Sequence, residues 1–445
     1  MRVVVVGAGI AGTAAARRLR RQGVDVVVLE AADAVGGRTR TVDVDGFRVD
    51  TGAIFVMGQY DRTLEWLRED GHADDPVRWE AHTAVLGRDG HLHRVRFDRP
   101  WTLLRQPGVG WAGRLRAAAR LAPMVARPGP GPFTLDELAP IDDGETLDAW
   151  GRRTLGDRAH EHVLRPLMGP LTGADPTVIS APFTRALVHR ITRTRLTVPT
   201  TGMGALAGWL ATDVDVRCDT PVRTVEHHPH GVVVTTDDER LEADAVVVAT
   251  DVLTAGGLLD GVVDDHLVDA LRSVTPIRTH HVLLGYRRDP WPHVPYDLVV
   301  RANEGPHHDY GVLRNARRSR GSVPPGGETV SVYLDTAQVG DRAPLEVARE
   351  AVAETFGPAT ADVERVFTLD AGLIAPTPGH YRRMLALRDG MPERIRLAGD
   401  FLTHSGIEGA LRSGERAADD LLASRSRVGA AGQAGGAGPS SRAAR

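Results

Sequence analysis

The stretch Arg2-Val3-Val4-Val5-Val6-Gly7-Ala8-Gly9-Ile10-Ala11-Gly12, with Glu30 standing 18 residues beyond Gly12, decides the fold. A β-branched run stops at Gly7, residues 10–22 read as a helix rich in alanine and arginine, and residues 24–30 read as a second buried strand. This is a β-α-β unit of about 30 residues, the size of a parallel strand pair with its crossover helix. The pattern G-x-G-x-x-G sits in the context its chemistry needs. Gly7 makes the tight turn, Gly9 lets a pyrophosphate approach the backbone, and Gly12 lets helix and strand pack closely. Free N–H groups and the helix dipole favour an anion at the residues that follow, Ile10 and Ala11. Glu30 ends the second strand, where an acid accepts from ribose hydroxyls and disfavours a 2′-phosphate.

Working outward, the whole chain has 445 residues, 42% of them hydrophobic, which suits two or three soluble domains. Its 54 basic residues face 58 acidic ones, so nucleic acid is not expected as a partner. All the basic residues are arginine, and no lysine occurs anywhere. Schiff-base, P-loop and general-base lysine chemistry are thereby excluded. The single cysteine, Cys218, allows neither an intramolecular disulfide nor a cysteine metal cluster, and fits a reducing compartment. The N-terminal apolar run is too short for a signal peptide and no run is long enough to span a membrane, so a cytoplasmic location is expected.

Further along, residues 111 to about 122 read as an arginine-studded helix that Pro123 should end or kink. Its arginines read as a solvated face, and membrane contact is not expected. Residues 142–187 are mostly helical. Strands are expected at 231–236, 243–249, 277–286, 329–333, 365–369 and 394–398, with helices at 345–356 and 408–424. The glycine, alanine and serine tail 425–445 reads as disordered.

The fingerprint alone does not separate NAD from FAD. The sequence after it, Glu30-Ala31-Ala32-Asp33-Ala34-Val35-Gly36-Gly37-Arg38-Thr39, resembles the extension of the flavin-containing amine oxidase superfamily, which also holds protoporphyrinogen oxidases and phytoene desaturases. There the Gly-Gly-Arg stretch wraps the pyrophosphate, a task suited to the planar fork of Arg38. The segment 47–53, with Gly52 and Ala53, resembles the piece that runs beside the flavin. Residues 201–206, Thr220-Pro221-Val222 and 243–250, ending at Thr250, resemble the middle section, in which the residue matching Val222 holds the adenine through its backbone. Leu397-Ala398-Gly399-Asp400 and Ile407-Glu408-Gly409-Ala410 resemble the C-terminal flavin motif.

The resemblance implies an α/β (α+β mixed) fold: a Rossmann-like FAD-binding domain, assembled from 1–75, 200–255 and 394–424, interleaved with a mixed-sheet and helical substrate domain at 76–199 and 256–393. It implies non-covalent FAD, because Cys218 is remote from the C-terminal motif. It also argues against the usual amine oxidase site, since there is no lysine and Gly406 stands where an aromatic is expected. Residues 375–380, with His380, resemble a stretch of the protoporphyrinogen-oxidase-like members. The expected activity is hydride removal from a C–C or C–N bond of a largely apolar small molecule, with O2 or another acceptor taking the electrons. The alternatives are a redox-neutral isomerase or cyclase, an atypical amine oxidase, a flavin-retaining binding protein and an NAD-dependent dehydrogenase.

His404, between the halves of the C-terminal motif, is the candidate for proton transfer, against an ordinary loop histidine. Phe55, Gln59 and Tyr60, then Tyr310 and His380, are candidates for the substrate cavity, against plain packing. The pairs His227-His228, His280-His281 and His307-His308 read as solvated or locally bonded, because neighbours on a strand point apart, and no metal site is expected.

Overall fold

The structure, a computed structural model, describes residues 1–87, 90–96, 99–106, 108–301, 310–319 and 321–434. The pair His307-His308 and the tail 435–445 lie outside the described residues, as does the side chain of Tyr310.

β1 (Arg2–Val6), α1 (Ile10–Arg21) and β2 (Asp25–Leu29) form the expected unit, with Val3 to Val6 of β1 lying parallel to Val26 to Leu29 of β2. Three more parallel strands complete this sheet: Asp215–Arg217 beside β2, Ala245–Val248 beside β1, and Ile395–Leu397 at the far edge. Val3 to Val6 are all buried, as a parallel strand covered on both faces requires. α1 packs through Ala14, Ala15, Ala16 and Leu19. Its small side chains admit the long helix Ile407–Ala434 so closely that a Cβ at Gly414 would stand 2.1 Å from the Ala11 carbonyl.

A second sheet has seven strands, in the order Val363–Ala375, Thr275–Tyr286, Glu328–Asp335, Tyr310–Arg314, Leu298–Arg301, Thr83–Leu86, Leu92–Val95. All its pairings are antiparallel except that of 298–301 with 83–86. One face packs Val282, Leu284, Val330 and Val332 against the helix Pro344–Phe356. The hairpin of Thr41–Val44 and Phe47–Asp50 rests on this sheet through Phe47, Val49 and Leu283. Short helices from Leu147–Leu155 to Pro182–His189 form a third layer.

Two expectations are corrected. The helix Trp111–Val125 runs through Pro123, which sits in its last turn and forfeits one backbone hydrogen bond there. The C-terminal helix continues to Ala434, past the point where disorder was expected. Among the described residues no helix is long and apolar enough to cross a membrane.

Candidate functional site

One cavity of about 1630 Å³ runs from the glycine loop to the second sheet and on into the helical layer. Small-molecule pockets occupy roughly 300–1,000 Å³, so this space can hold a cofactor and a second molecule together.

Its nucleotide end is made of backbone. Gly7 has φ +100°, and a Cβ there would stand 2.8 Å from the Ala249 carbonyl oxygen. At Gly12 a Cβ would stand 1.8 Å from the Gly7 oxygen. Gly12 packs helix on strand and does not itself line the cavity. A Cβ at Gly9, by contrast, would meet nothing within 4 Å, so the loop is open at this residue. The N-terminus of α1 has no side-chain cap, leaving its N–H groups free to face an anion. Gly36 and Gly37, at φ +121° and +51°, fold the following segment over Gly9. Glu30 accepts hydrogen bonds from the Ala8 and Ala32 N–H groups at 2.6 and 2.9 Å. Arg38 donates to Asp400 Oδ1 at 2.7 Å, and Asp400 Oδ2 accepts from the Gly406 N–H at 3.2 Å. Gly9, Ile10, Ala11, Glu30, Gly36, Gly37, Arg38, Gly52, Ala53, Val222, Thr250, Gly399, Asp400, Ile407 and Ala410 all line this one cavity with Gly7. An open glycine loop, an uncapped helix N-terminus and a half-buried cation form a cradle that suits a dinucleotide pyrophosphate.

These features coincide with a family relationship. The sequence profile of flavin containing amine oxidoreductases matches residues 10–422. The chain belongs to that family. Membership implies a flavin cofactor. A Mycobacterium tuberculosis protein named as a flavin-containing monoamine oxidase is 31% identical over 264 residues, 56% of each chain. The 15-cis-phytoene desaturase of Narcissus pseudonarcissus is 29% identical over 194 residues, 40% of this chain and 33% of its own length. The chain thus spans about half or less of the length of these curated relatives. Among solved structures, cyclohexylamine oxidase from Brevibacterium oxydans superposes with TM-score 0.75 at 19% identity, covering 96% of this chain and 99% of its own. An Exiguobacterium protein described as a protoporphyrinogen oxidase gives TM-score 0.75 at 18% identity, covering 95% and 99%. At such identities these two likenesses concern the fold.

Within the family fold, several expected residues stand elsewhere than the cavity. The Glu408 carboxylate accepts from the Arg62 and Thr63 N–H groups at 2.9 Å each, which caps the helix Asp61–Glu69 instead. His404 is turned away, its ring stacked on Phe183 at 3.6 Å, and burial pushes it down to about 4. Its ring does not line the cavity. His380 is also buried away from it, pushed down to about 3 by burial and the nearby Arg383. Phe55, Gln59 and Tyr60 do line the cavity. Burial raises the Tyr60 hydroxyl above its ordinary range, helped by Glu408 and Asp400, so it stays protonated.

His281 and Tyr333, which face each other across two strands and stack at 4.5 Å, were missed. His280 is half-exposed and bonds Thr368, whereas His281 turns inward to the cavity wall. Burial pushes His281 down to about 4, so the ring is neutral. Its Nε2 lies 2.8 Å from Ser331 Oγ, which accepts from Asn315 Nδ2 at 3.0 Å. Asn315 Oδ1 accepts from Arg318 Nε at 2.9 Å, and Arg318 Nη2 donates to Asp50 Oδ2 at 2.7 Å. Asp50 is on the hairpin strand that leads into Gly52. This buried chain therefore joins the second sheet to the segment beside the nucleotide end. The helical layer supplies the remaining wall through Leu121, Trp150, Leu164 and Met168. Nothing in their sequence sets these residues apart from ordinary core.

Proposed function

We propose that the protein is an FAD-dependent oxidoreductase that removes a hydride from a C–C or C–N bond of a largely apolar small molecule, with O2 or another acceptor restoring the cofactor. What supports this most is the continuity of one cavity from a backbone cradle for a pyrophosphate to an apolar chamber. Gly7, Gly9 and the N-terminus of α1 would hold the pyrophosphate, Arg38 would counter its charge, and Glu30 would accept from the ribose. Val222 and Thr250 would flank the adenine end, and Gly52, Ala53, Gly399 and Asp400 the middle. Ile407 and Ala410, in the first turn of the helix Ile407–Ala434, would put positive dipole beside the ring. When bound, the flavin accepts the hydride. The chain's own part is to orient the substrate and exclude water, which the apolar wall does. FAD would be non-covalent, because the only cysteine, Cys218, does not line the cavity.

The reading divides the chain into an FAD unit (1–75, 200–255, 394–424) and a substrate unit (76–199, 256–393), in a cytoplasmic protein. The test is the absorption spectrum of purified protein, followed by anaerobic bleaching with polyene, polycyclic and amine compounds. Flavin bands released by denaturation as free FAD are expected. Folded protein that shows no flavin and takes up none on reconstitution would overturn the reading. Turnover without consumption of any acceptor would move it to a redox-neutral isomerase or cyclase.

A further inference from the structure

Gly406, Ile407 and Ala410 line the cavity where the helix Ile407–Ala434 begins, and few charges stand near to serve an occupant there. Among the described lining residues the only arginines are Arg38 and Arg40. Arg38 is paired with Asp400 and Arg40 with Asp33, each at 2.7 Å. The His281 ring is neutral, and the chain has no lysine. Negative charge arising beside this helix start thus finds no uncommitted cation in the cavity wall.

What it does find is a neutral donor. Tyr60 lines the cavity and is 5% exposed. Its hydroxyl oxygen lies 3.3 Å from the point that a Cβ on Gly406 would occupy, so it stands at the helix start. Phe133 holds the ring edge-on, with centroids 5.1 Å apart. The hydroxyl makes no hydrogen bond among the described residues. Nor is it one of the enclosed atoms without partners, a group that includes Gln59 Oε1 and Tyr381 Oη, so it is open to the cavity. The two acids whose charge reaches it, Glu408 and Asp400, are bonded to other groups. Glu408 accepts from the Arg62 and Thr63 N–H groups and from Arg412, and Asp400 accepts from Arg38 and the Gly406 N–H. A buried donor without an acceptor is costly, and native proteins seldom leave one.

The geometry points to Tyr60 Oη as a hydrogen-bond donor to the molecule seated against the start of the helix Ile407–Ala434, on the edge that becomes negative when that molecule is reduced. The assignment rests on the flavin reading, in which the molecule is the isoalloxazine ring of FAD and the edge is its pyrimidine side. A hydrogen bond to a charged acceptor is about twice as strong as one to a neutral acceptor. Tyr60 therefore holds reduced FAD more tightly than oxidised FAD, in the same sense as the helix dipole. The hydride's electron pair ends on the ring, the substrate is oxidised, and the tyrosine keeps its proton.

The test uses the full chain loaded with FAD and reads the midpoint potential by equilibration with reference dyes. Tyr60→Phe removes the oxygen and keeps the ring against Phe133. It should reduce the preference for reduced over oxidised FAD about 10-fold, which lowers the potential by about 30 mV for this two-electron couple. Tyr381→Phe deletes an enclosed hydroxyl that has no partner, and should change the preference by less than about 2-fold. Equal potentials in Tyr60→Phe and the unaltered protein, or an equal fall in Tyr381→Phe, would refute the assignment. Should Tyr60→Phe fail to fold, the unaltered protein decides: a potential above that of free FAD supports the donor, and one at or below it refutes it. Folded protein that takes up no FAD sinks the flavin reading itself, whereas FAD-loaded protein whose potential ignores Tyr60 sinks this inference alone.

Discussion

The two ends of the cavity recognise their contents by different means. The nucleotide end is a set of backbone positions: Gly7 at φ +100°, Gly9 with open space above it, and Gly12 against the Gly7 carbonyl. The limb in the helical layer is a set of side chains, among them Leu121, Trp150, Leu164 and Met168. At Gly7 and Gly12 this recognition tolerates almost no change, because a single added carbon collides with peptide atoms. Side-chain recognition degrades gradually, because each wall residue contributes area and little else. The first region is therefore rigid in sequence, and the second is where specificity can drift.

The contrast should break first at Gly12. Gly12→Val puts a side chain 1.8 Å from the Gly7 oxygen, so either the chain fails to fold or flavin per chain falls below a tenth of the unaltered value. The destabilisation is expected to exceed about 4 kcal/mol, read by denaturant unfolding. The buried pair joining the nucleotide end to the second sheet comes next. Arg318→Met leaves Asp50 charged and enclosed, and should cost about 3–5 kcal/mol in the same measurement.

Buried histidines give a pH effect on the same scale. His281 and His404 are held near 4 when folded, against about 6.5 when unfolded. Their contribution is complete above about 6.5 and is lost as pH falls towards 4, since only the unfolded chain then takes up the protons. Unfolding free energy should be level from pH 8 to 7 and fall by a few kcal/mol by pH 4.5, and His404→Asn should flatten part of that fall. A slope of the opposite sign would contradict neutral burial.

Within the limb, Leu164→Ala should cost about 2–3 kcal/mol, at the low end for a core leucine because one side already faces a cavity. It should also raise tolerance for bulkier ligands without altering flavin content. Smallest of all, Leu115→Ser on the outward face of the helix Trp111–Val125 should stay within about 0.5 kcal/mol, since Leu115 is 68% exposed. If it also left the flavin and the limb untouched, the contrast would be confined to the cavity's own walls.

The same difference decides what the sequence disclosed. Gly7, Gly9, Gly12, Gly36 and Arg38 were legible because a particular backbone shape or charge permits few residue types at those positions. Leu164 and Met168 were not, because an apolar residue on a helix looks the same whether its neighbour is protein or ligand. Position along the chain also misled. His404 lies between two motif halves, yet its ring turns to Phe183, and Glu408 sits within the motif while its carboxylate serves the helix Asp61–Glu69. His281 stood in view as half of a pair. Opposed directions on a strand were anticipated, but which member would face inward depended on the register with Glu328–Asp335.

The order of strands in the nucleotide sheet carries one more consequence, for how the protein is made. β1 finds its neighbour β2 within about thirty residues, but its other neighbour, Ala245–Val248, follows more than two hundred residues later, and the edge strand Ile395–Leu397 later again. At roughly 5–20 residues per second, β1 waits on the order of ten seconds or more for this second partner. The helix Ile407–Ala434, which seats on α1, arrives later still. The cradle is thus complete only once that helix has been made, so cofactor capture waits for it, and a chain truncated before residue 395 should not retain the cofactor.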